Sequence, residues 1–176
     1  MPRFGAAMIT PLWCRTMAQY NLWQNRAILA AADPLGPVVR QDSTAAPYGS
    51  LQGTLSHLLW ADRLWMSRFD GGAVPDGTLA DSGKQFRDWQ ILRAERAQTD
   101  TRILDWASGL DDAALEGELF WMSKSADRGV SRPFVICVTH FFMQQVHHRG
   151  AVHVLLAAAG AKVDGSALFL MPDLLE

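Results

Sequence analysis

The chain has 176 residues, 49% of them hydrophobic, with 16 basic against 18 acidic side chains and a formal charge of -2. That length suits a single domain, residues 1–176, able to bury about two-thirds of the surface its unfolded form exposes. The near-balanced charge and dispersed Lys and Arg give a phosphate-tracking surface no support, so nucleic acid is not an expected partner.

No apolar run approaches the length of a membrane span, and the first eleven residues lack the uninterrupted apolar stretch of a signal peptide. The expectation is a cytoplasmic protein without a membrane segment. Cys14 and Cys137 have no CxxC spacing, and Cys137 lies in the apolar run Phe134-Val135-Ile136-Cys137-Val138. Both are expected to be free structural thiols, and the seven tryptophans to be core or interface anchors.

Over residues 12–32, Leu12, Met17, Tyr20, Trp23, Ala27, Ile28 and Ala31 recur at helical spacing, which predicts an amphipathic helix ended by Asp33-Pro34. Residues 34–47 are rich in Pro, Gly, Ser and Thr and read as a connector, long enough to suggest a crossover or an ordered surface loop. Ser50 or Thr54 is placed to cap a second helix carrying Leu51, Leu55, Leu58, Leu59, Trp65, Met66 and Phe69, which Gly71-Gly72 ends.

After a loop over residues 71–83, the residues Phe86, Trp89, Leu92, Ile103, Leu104 and Trp106 mark a third helix broken at Gly109. Its Arg87, Asp88, Arg93, Glu95, Arg96, Asp100 and Arg102 read as a solvated face of mixed sign. Residues 118–122 and 129–132 flank a polar stretch and suit a small β-hairpin or an extended excursion. Pro133 is placed to open the last long helix, which carries Val138, Phe142, Val146, Val152, Leu155 and Leu156 to a stop at Gly160. In the tail, Leu168, Phe169, Leu170 and Met171 are expected to pack back on the domain or on a second subunit. Four amphipathic helices with little strand signal predict an all-α four-helix bundle.

Four of the five histidines fall between residues 140 and 153, and the fifth is His57. Bundles build metal sites from side chains facing inward from neighbouring helices, and His is a common ligand for Zn, Ni, Fe and Cu. On the last helix Gln144 and His148 share a face about 6 Å apart along the axis, whereas His140 and His148 are separated by about 12 Å of rise and cannot readily share an ion. His147 and His148 point about 100° apart and do not chelate together. For His57, His140, His147 and His153 alike, a hydrogen-bonded core or interface histidine is the ordinary alternative to a ligand. Arg149 reads as a helix-surface or interface ion-pair partner. Phosphate loop, nucleophile elbow and HExxH motif are all missing from the sequence.

Three blocks in order carry a likeness that spans nearly the whole chain. They are Met17-Ala18-Gln19-Tyr20-Asn21-Leu22-Trp23, Gly53-Thr54-Leu55-Ser56-His57 with Asp62 and Trp65, and Thr139-His140-Phe141-Phe142 with His147-His148-Arg149-Gly150. Together they resemble the DinB family of the DinB/YfiT-like superfamily. The resemblance implies a four-helix bundle, commonly homodimeric, in which three histidines bind a divalent metal such as nickel or zinc. Related branches use such a metal in thiol-dependent transferase, isomerase or hydrolase chemistry on small molecules.

Carried over by position, the resemblance places the metal ligands at His57, Gln144 and His148. The family pattern Asn-His-x-x-His-His-Arg-Gly-Gln stands here as Met143-Gln144-Gln145-Val146-His147-His148-Arg149-Gly150-Ala151, so a glutamine occupies the middle ligand position. A neutral amide oxygen suits harder ions and binds late transition metals less well than imidazole. Two histidines and an amide can still hold Zn or Ni with waters completing the shell. Equally, the amide can hydrogen-bond a histidine in a dry site. Two functions follow: a metal-dependent hydrolase or thiol-dependent transferase, or a non-catalytic homodimeric binding module that has lost its metal at Gln144. Within the former, Tyr20, Asn21 and Asp62 are expected to serve helix packing. DNA binding, which the family's damage-inducible label would suggest, has no support from this charge pattern.

Overall fold

The computed structural model describes residues 8–42, 46, 48–123 and 127–172. The first seven residues, part of the connector, the tip of the expected hairpin and the end of the tail lie outside the described residues. Helix dominates, at 63%, with one small antiparallel hairpin. The long helices are α1 (Pro11–Ala32), α3 (Leu51–Phe69), α4 (Trp89–Ser108) and α5 (Phe134–Ala158), and a short α2 (Pro37–Gln41) lies within the connector.

Each helix begins where its sequence supplies a start signal. Thr10 accepts from the Trp13 backbone N–H at 3.1 Å ahead of Pro11, Ser50 from Gly53 at 2.9 Å, and Asp88 from Gln90 and Ile91. Pro133 forms the N-cap of α5 without a side-chain bond. The hairpin pairs β1 (Glu118–Ser123) with β2 (Arg128–Pro133) in antiparallel register, Glu118 opposite Pro133 and Trp121 opposite Val130. Cys14 and Cys137 are free and buried, as expected, and burial pushes the Cys14 thiol up to about 11. Neither is a ready thiolate.

Around the bundle, α1 packs on α4 and α5, and α3 packs on the same two helices, so α1 and α3 stand on a diagonal. The connector between them therefore crosses the bundle, which accounts for its length. In the tail Met171 packs back into the fold, at 5% exposure, and Val163 lies against the apolar cluster that holds Ile28 and Leu156. Leu168, Phe169 and Leu170 do not pack on the domain but are exposed on the single chain, which leaves the expected second subunit as what could cover them.

The core is two apolar clusters with a polar layer between them. One end holds Cys14, Ala18, Met66, Ile103, Ala107, Val138, Phe141 and Phe142, and the other Ile28, Leu51, Leu55, Leu59, Leu92, Val152 and Leu156. Between them, on successive helices, lie Asn21 and Asn25, Asp62, Arg96 and Asp100, and Gln145 and Arg149, all buried. Arg96 Nη1 donates to Asp62 Oδ2 at 2.5 Å, and its Nη2 lies 2.9 Å from Asp100 Oδ1. Gln145 Nε2 donates to Asp62 Oδ1 at 2.9 Å, Asn25 Nδ2 to Asp100 Oδ1 at 2.8 Å, and Arg149 Nη1 to Asn21 Oδ1.

This layer corrects two sequence expectations. Arg96 and Asp100 are not on the solvated face of α4 but in the core, where they continue the buried stripe Trp89, Leu92, Arg96, Thr99, Asp100, Ile103, Ala107. Arg149 is not a surface residue either. It is 3% exposed, its guanidinium lies 5.4 Å from the Tyr20 ring, and burial pulls its pKa down to about 10. Two carboxylates against two guanidiniums balance the layer, and the amide side chains occupy further hydrogen-bonding positions. Asn21 and Asp62 have the packing roles expected of them. Tyr20 ties α1 to the tail, its hydroxyl donating to the Ser166 carbonyl at 2.7 Å.

Candidate metal centre

On the α3–α5 seam His57 and His148 face each other, with their Nε2 atoms 3.3 Å apart and ring centroids at 4.6 Å. His57 is buried by the helix burial that runs unbroken from Leu51 to Asp62, while His148, on the outer side of α5, is half-buried. The site is thus closed on the α3 side and approached past His148.

Two loops complete it. Tyr48, at the end of the connector, stacks its ring on His57 with centroids 3.7 Å apart and planes 10° from parallel, and meets His148 edge-on at 5.7 Å. Its seat depends on glycine: a Cβ at residue 53 would overlap the Tyr48 carbonyl oxygen, and one at residue 83 would press on Tyr48 Cβ at 3.2 Å. From the other loop, Ser82 in a 3-10 turn (Ser82–Lys84) places its Oγ 2.8 Å from His57 Nδ1. Trp60 lies 6.5 Å from His57 between ring centroids. Tyr48 and Ser82 were not found from the sequence. Both come from segments without periodicity, where spacing carries no information about which side chain meets a helix.

Gln144 stands one turn before His148 on the same helix, and its Nε2 is buried with no hydrogen-bond partner among the described residues. The other histidines go elsewhere. His140 is exposed and packs edge-on to Trp65 at 5.2 Å, and His147 is exposed, lining a groove of about 280 Å³ with Trp13, Met17, Phe142, Met143 and Val146. His153, five residues beyond His148, has a buried Nε2 without a hydrogen-bond partner among the described residues.

Burial, aided by the neighbouring His148, pulls His57 down to about 4, and burial together with His147 lowers His148. Both rings are therefore neutral at neutral pH and able to offer a nitrogen lone pair. A histidine whose folded-state pKa lies below its unfolded value contributes stability present above about pH 6.5 that is lost as pH falls towards the folded value. Unfolding free energy is expected to fall by up to about 3 kcal/mol between pH 6.5 and pH 4 on account of His57. Urea titrations across that range test this. In His57→Gln the slope is expected to flatten by the same amount, and an unchanged slope would count against a buried neutral imidazole.

The donor set suits a divalent cation. Two Nε2 ligands of one tetrahedral zinc stand about 3.3–3.4 Å apart, given Zn–N lengths of about 2.0–2.1 Å, and the observed separation lies in that range. An amide that turns about its last bond exchanges nitrogen for oxygen, so the orphaned Gln144 position can carry an oxygen donor. His57 and His148 offer such an ion a pair of Nε2 donors, and Gln144 stands on the His148 face of α5 with its amide nitrogen unpartnered among the described residues.

The model of the DinB family matches residues 6–172, nearly the whole chain. No curated protein and no solved structure gave a significant match. With the match running from before the first helix to the tail, over the helices that bear His57 and His148, the chain belongs to the DinB family.

Proposed function

We propose that this DinB protein is a metal-dependent enzyme of the hydrolase or thiol-dependent transferase class, acting on a small molecule with a divalent ion, nickel or zinc, held between α3 and α5. His57, His148 and Gln144 are the ligands. The observation that carries the reading is the 3.3 Å approach of two imidazole Nε2 atoms in a site closed on its α3 side. Bound there, the metal lowers the pKa of a coordinated water or thiol and so supplies a nucleophile near neutral pH. Around it, His57 and His148 turn their Nε2 atoms inward, the stacked Tyr48 ring excludes water from the His57 face, and the half-buried His148 edge leaves the path by which a substrate enters. Burial holds the Tyr48 phenol above its ordinary pKa, so at neutral pH it is a proton donor and not a base.

The same proposal places the protein in the cytoplasm as a homodimer. The apolar groove of Trp13, Met17, Phe142, Met143 and Val146, with exposed Leu12 beside it, is the surface that favours self-association.

A second reading is favoured by one observation. Among the described residues no three His, Cys, Asp or Glu side chains form a group that could hold a metal ion, and the residue one turn before His148 is Gln144. On that reading the chain is a non-catalytic homodimeric binding module. Metal analysis of protein purified without an affinity tag, stripped with chelator and reloaded with zinc or nickel, separates the two. Near one metal per chain, lost in both His57→Ala and His148→Ala, is the expected result. Protein that takes up neither ion would establish the second reading in its place.

A further inference from the structure

The hydrogen bonds around Ser82 determine which nitrogen of His57 carries the proton. Ser82 is fully buried, and its Oγ lies 2.6 Å from the Leu79 carbonyl oxygen and 2.8 Å from His57 Nδ1. A carbonyl only accepts, so the single hydroxyl hydrogen of Ser82 points to Leu79. The remaining lone pairs of Oγ face Nδ1, which must then be the protonated nitrogen. The opposite assignment, with Ser82 donating to Nδ1, would leave two bare oxygens in contact at 2.6 Å. With Nδ1 protonated and the ring neutral, Nε2 is a lone pair, and Nε2 is the atom turned towards His148.

The turn that presents Ser82 is itself held on α3. Ser56 Oγ donates to the Ser82 carbonyl at 2.6 Å and accepts from the Phe86 N–H at 3.1 Å, and one turn earlier Gln52 Nε2 donates to the Arg87 carbonyl at 2.7 Å. The helix that carries His57 thus also builds the support for its orienting group. Nothing in this arrangement allows Ser82 to swing away without breaking several buried bonds.

We infer that Ser82 is a positioning residue: its hydroxyl, pinned by the Leu79 carbonyl, holds His57 as the Nδ1-protonated tautomer and so presents the Nε2 lone pair to a divalent cation shared with His148. Its effect on the metal rests on the metal-centre reading above; its effect on the tautomer does not. Without Ser82, the Nε2–H tautomer donating to His148 competes with metal binding, and loss of such a supporting partner typically lowers metal affinity by about 10- to 100-fold.

The test compares wild type, Ser82→Ala and Ser82→Thr, using protein labelled with 15N-histidine. Long-range 15N–1H correlation spectra of the metal-free proteins report the His57 tautomer, and zinc titration against a competing chelator reports affinity. Wild type is expected to show a protonated Nδ1 and a bare Nε2, Ser82→Ala to gain the Nε2–H form and lose about 10- to 100-fold in zinc affinity, and Ser82→Thr to restore both. A wild-type spectrum with Nε2 protonated overturns the inference, whether or not Ser82→Ala folds. So does a folded Ser82→Ala protein with unchanged tautomer and affinity. If wild type binds no zinc while its tautomer shifts in Ser82→Ala, the metal reading fails and the tautomer assignment stands.

Discussion

Arg96→Met is expected to cost about 3–5 kcal/mol of unfolding free energy, because it leaves two buried carboxylates without the cation they share. Asp62 and Asp100 are buried at 0% and 3% exposure, and Arg96 touches both. Burial raises the Asp62 pKa, while the Arg96 charge and the Gln145 hydrogen bond act to lower it. With Arg96 gone, Asp62 must take up a proton or remain an uncompensated charge between two apolar clusters. Urea unfolding at pH 7 measures the loss. Adding Asp62→Asn should recover more than half of it, since one carboxylate, Asp100, then faces one guanidinium, Arg149, and Asn still accepts from Gln145. A loss below about 1 kcal/mol for the single variant would mean that the layer is not a paired ionic network.

Gln144→His is expected to raise zinc or nickel affinity at least about tenfold, because a third imidazole replaces a weak amide donor for a borderline metal. Gln144 shares a helical face with His148, and its buried amide nitrogen has no hydrogen-bond partner among the described residues, so the substitution breaks no bond of that nitrogen with them. Chelator competition on untagged protein gives the ratio of affinities. The gain should disappear when His57→Ala is added, which distinguishes a three-residue site from adventitious binding by exposed His147. An unchanged affinity, with wild type already saturable, would show that residue 144 does not reach the ion.

Much of the fold is legible in residue spacing. Periodic apolar positions mark all four long helices, Pro133 marks the start of the last, Ser50 is the one of the two candidates with Thr54 that caps the second, and residues 118–122 and 129–132 form the hairpin that was one of the two expectations there. Binary patterning treats charge as exposure, so Arg96 and Asp100 were assigned to solvent although they sit in step with Leu92 and Ile103. The gap in the apolar stripe of α4 was the available signal. Opposite charges meeting across helices make such positions tenable, and the partners, Asp62 on α3 and Arg149 on α5, are remote in sequence.

The candidate site divides in the same way. Local sequence determined that His57 and His148 lie on helices, that His140 and His148 are too far apart to act together, and that Gln144 shares the His148 face. Only the tertiary structure decided that His57 and His148 meet across the α3–α5 seam, that Tyr48 covers one ring and that Ser82 orients it. Helical periodicity propagates along one chain segment and ranks its faces, whereas contact between segments depends on how the bundle closes and on where aperiodic loops come to rest.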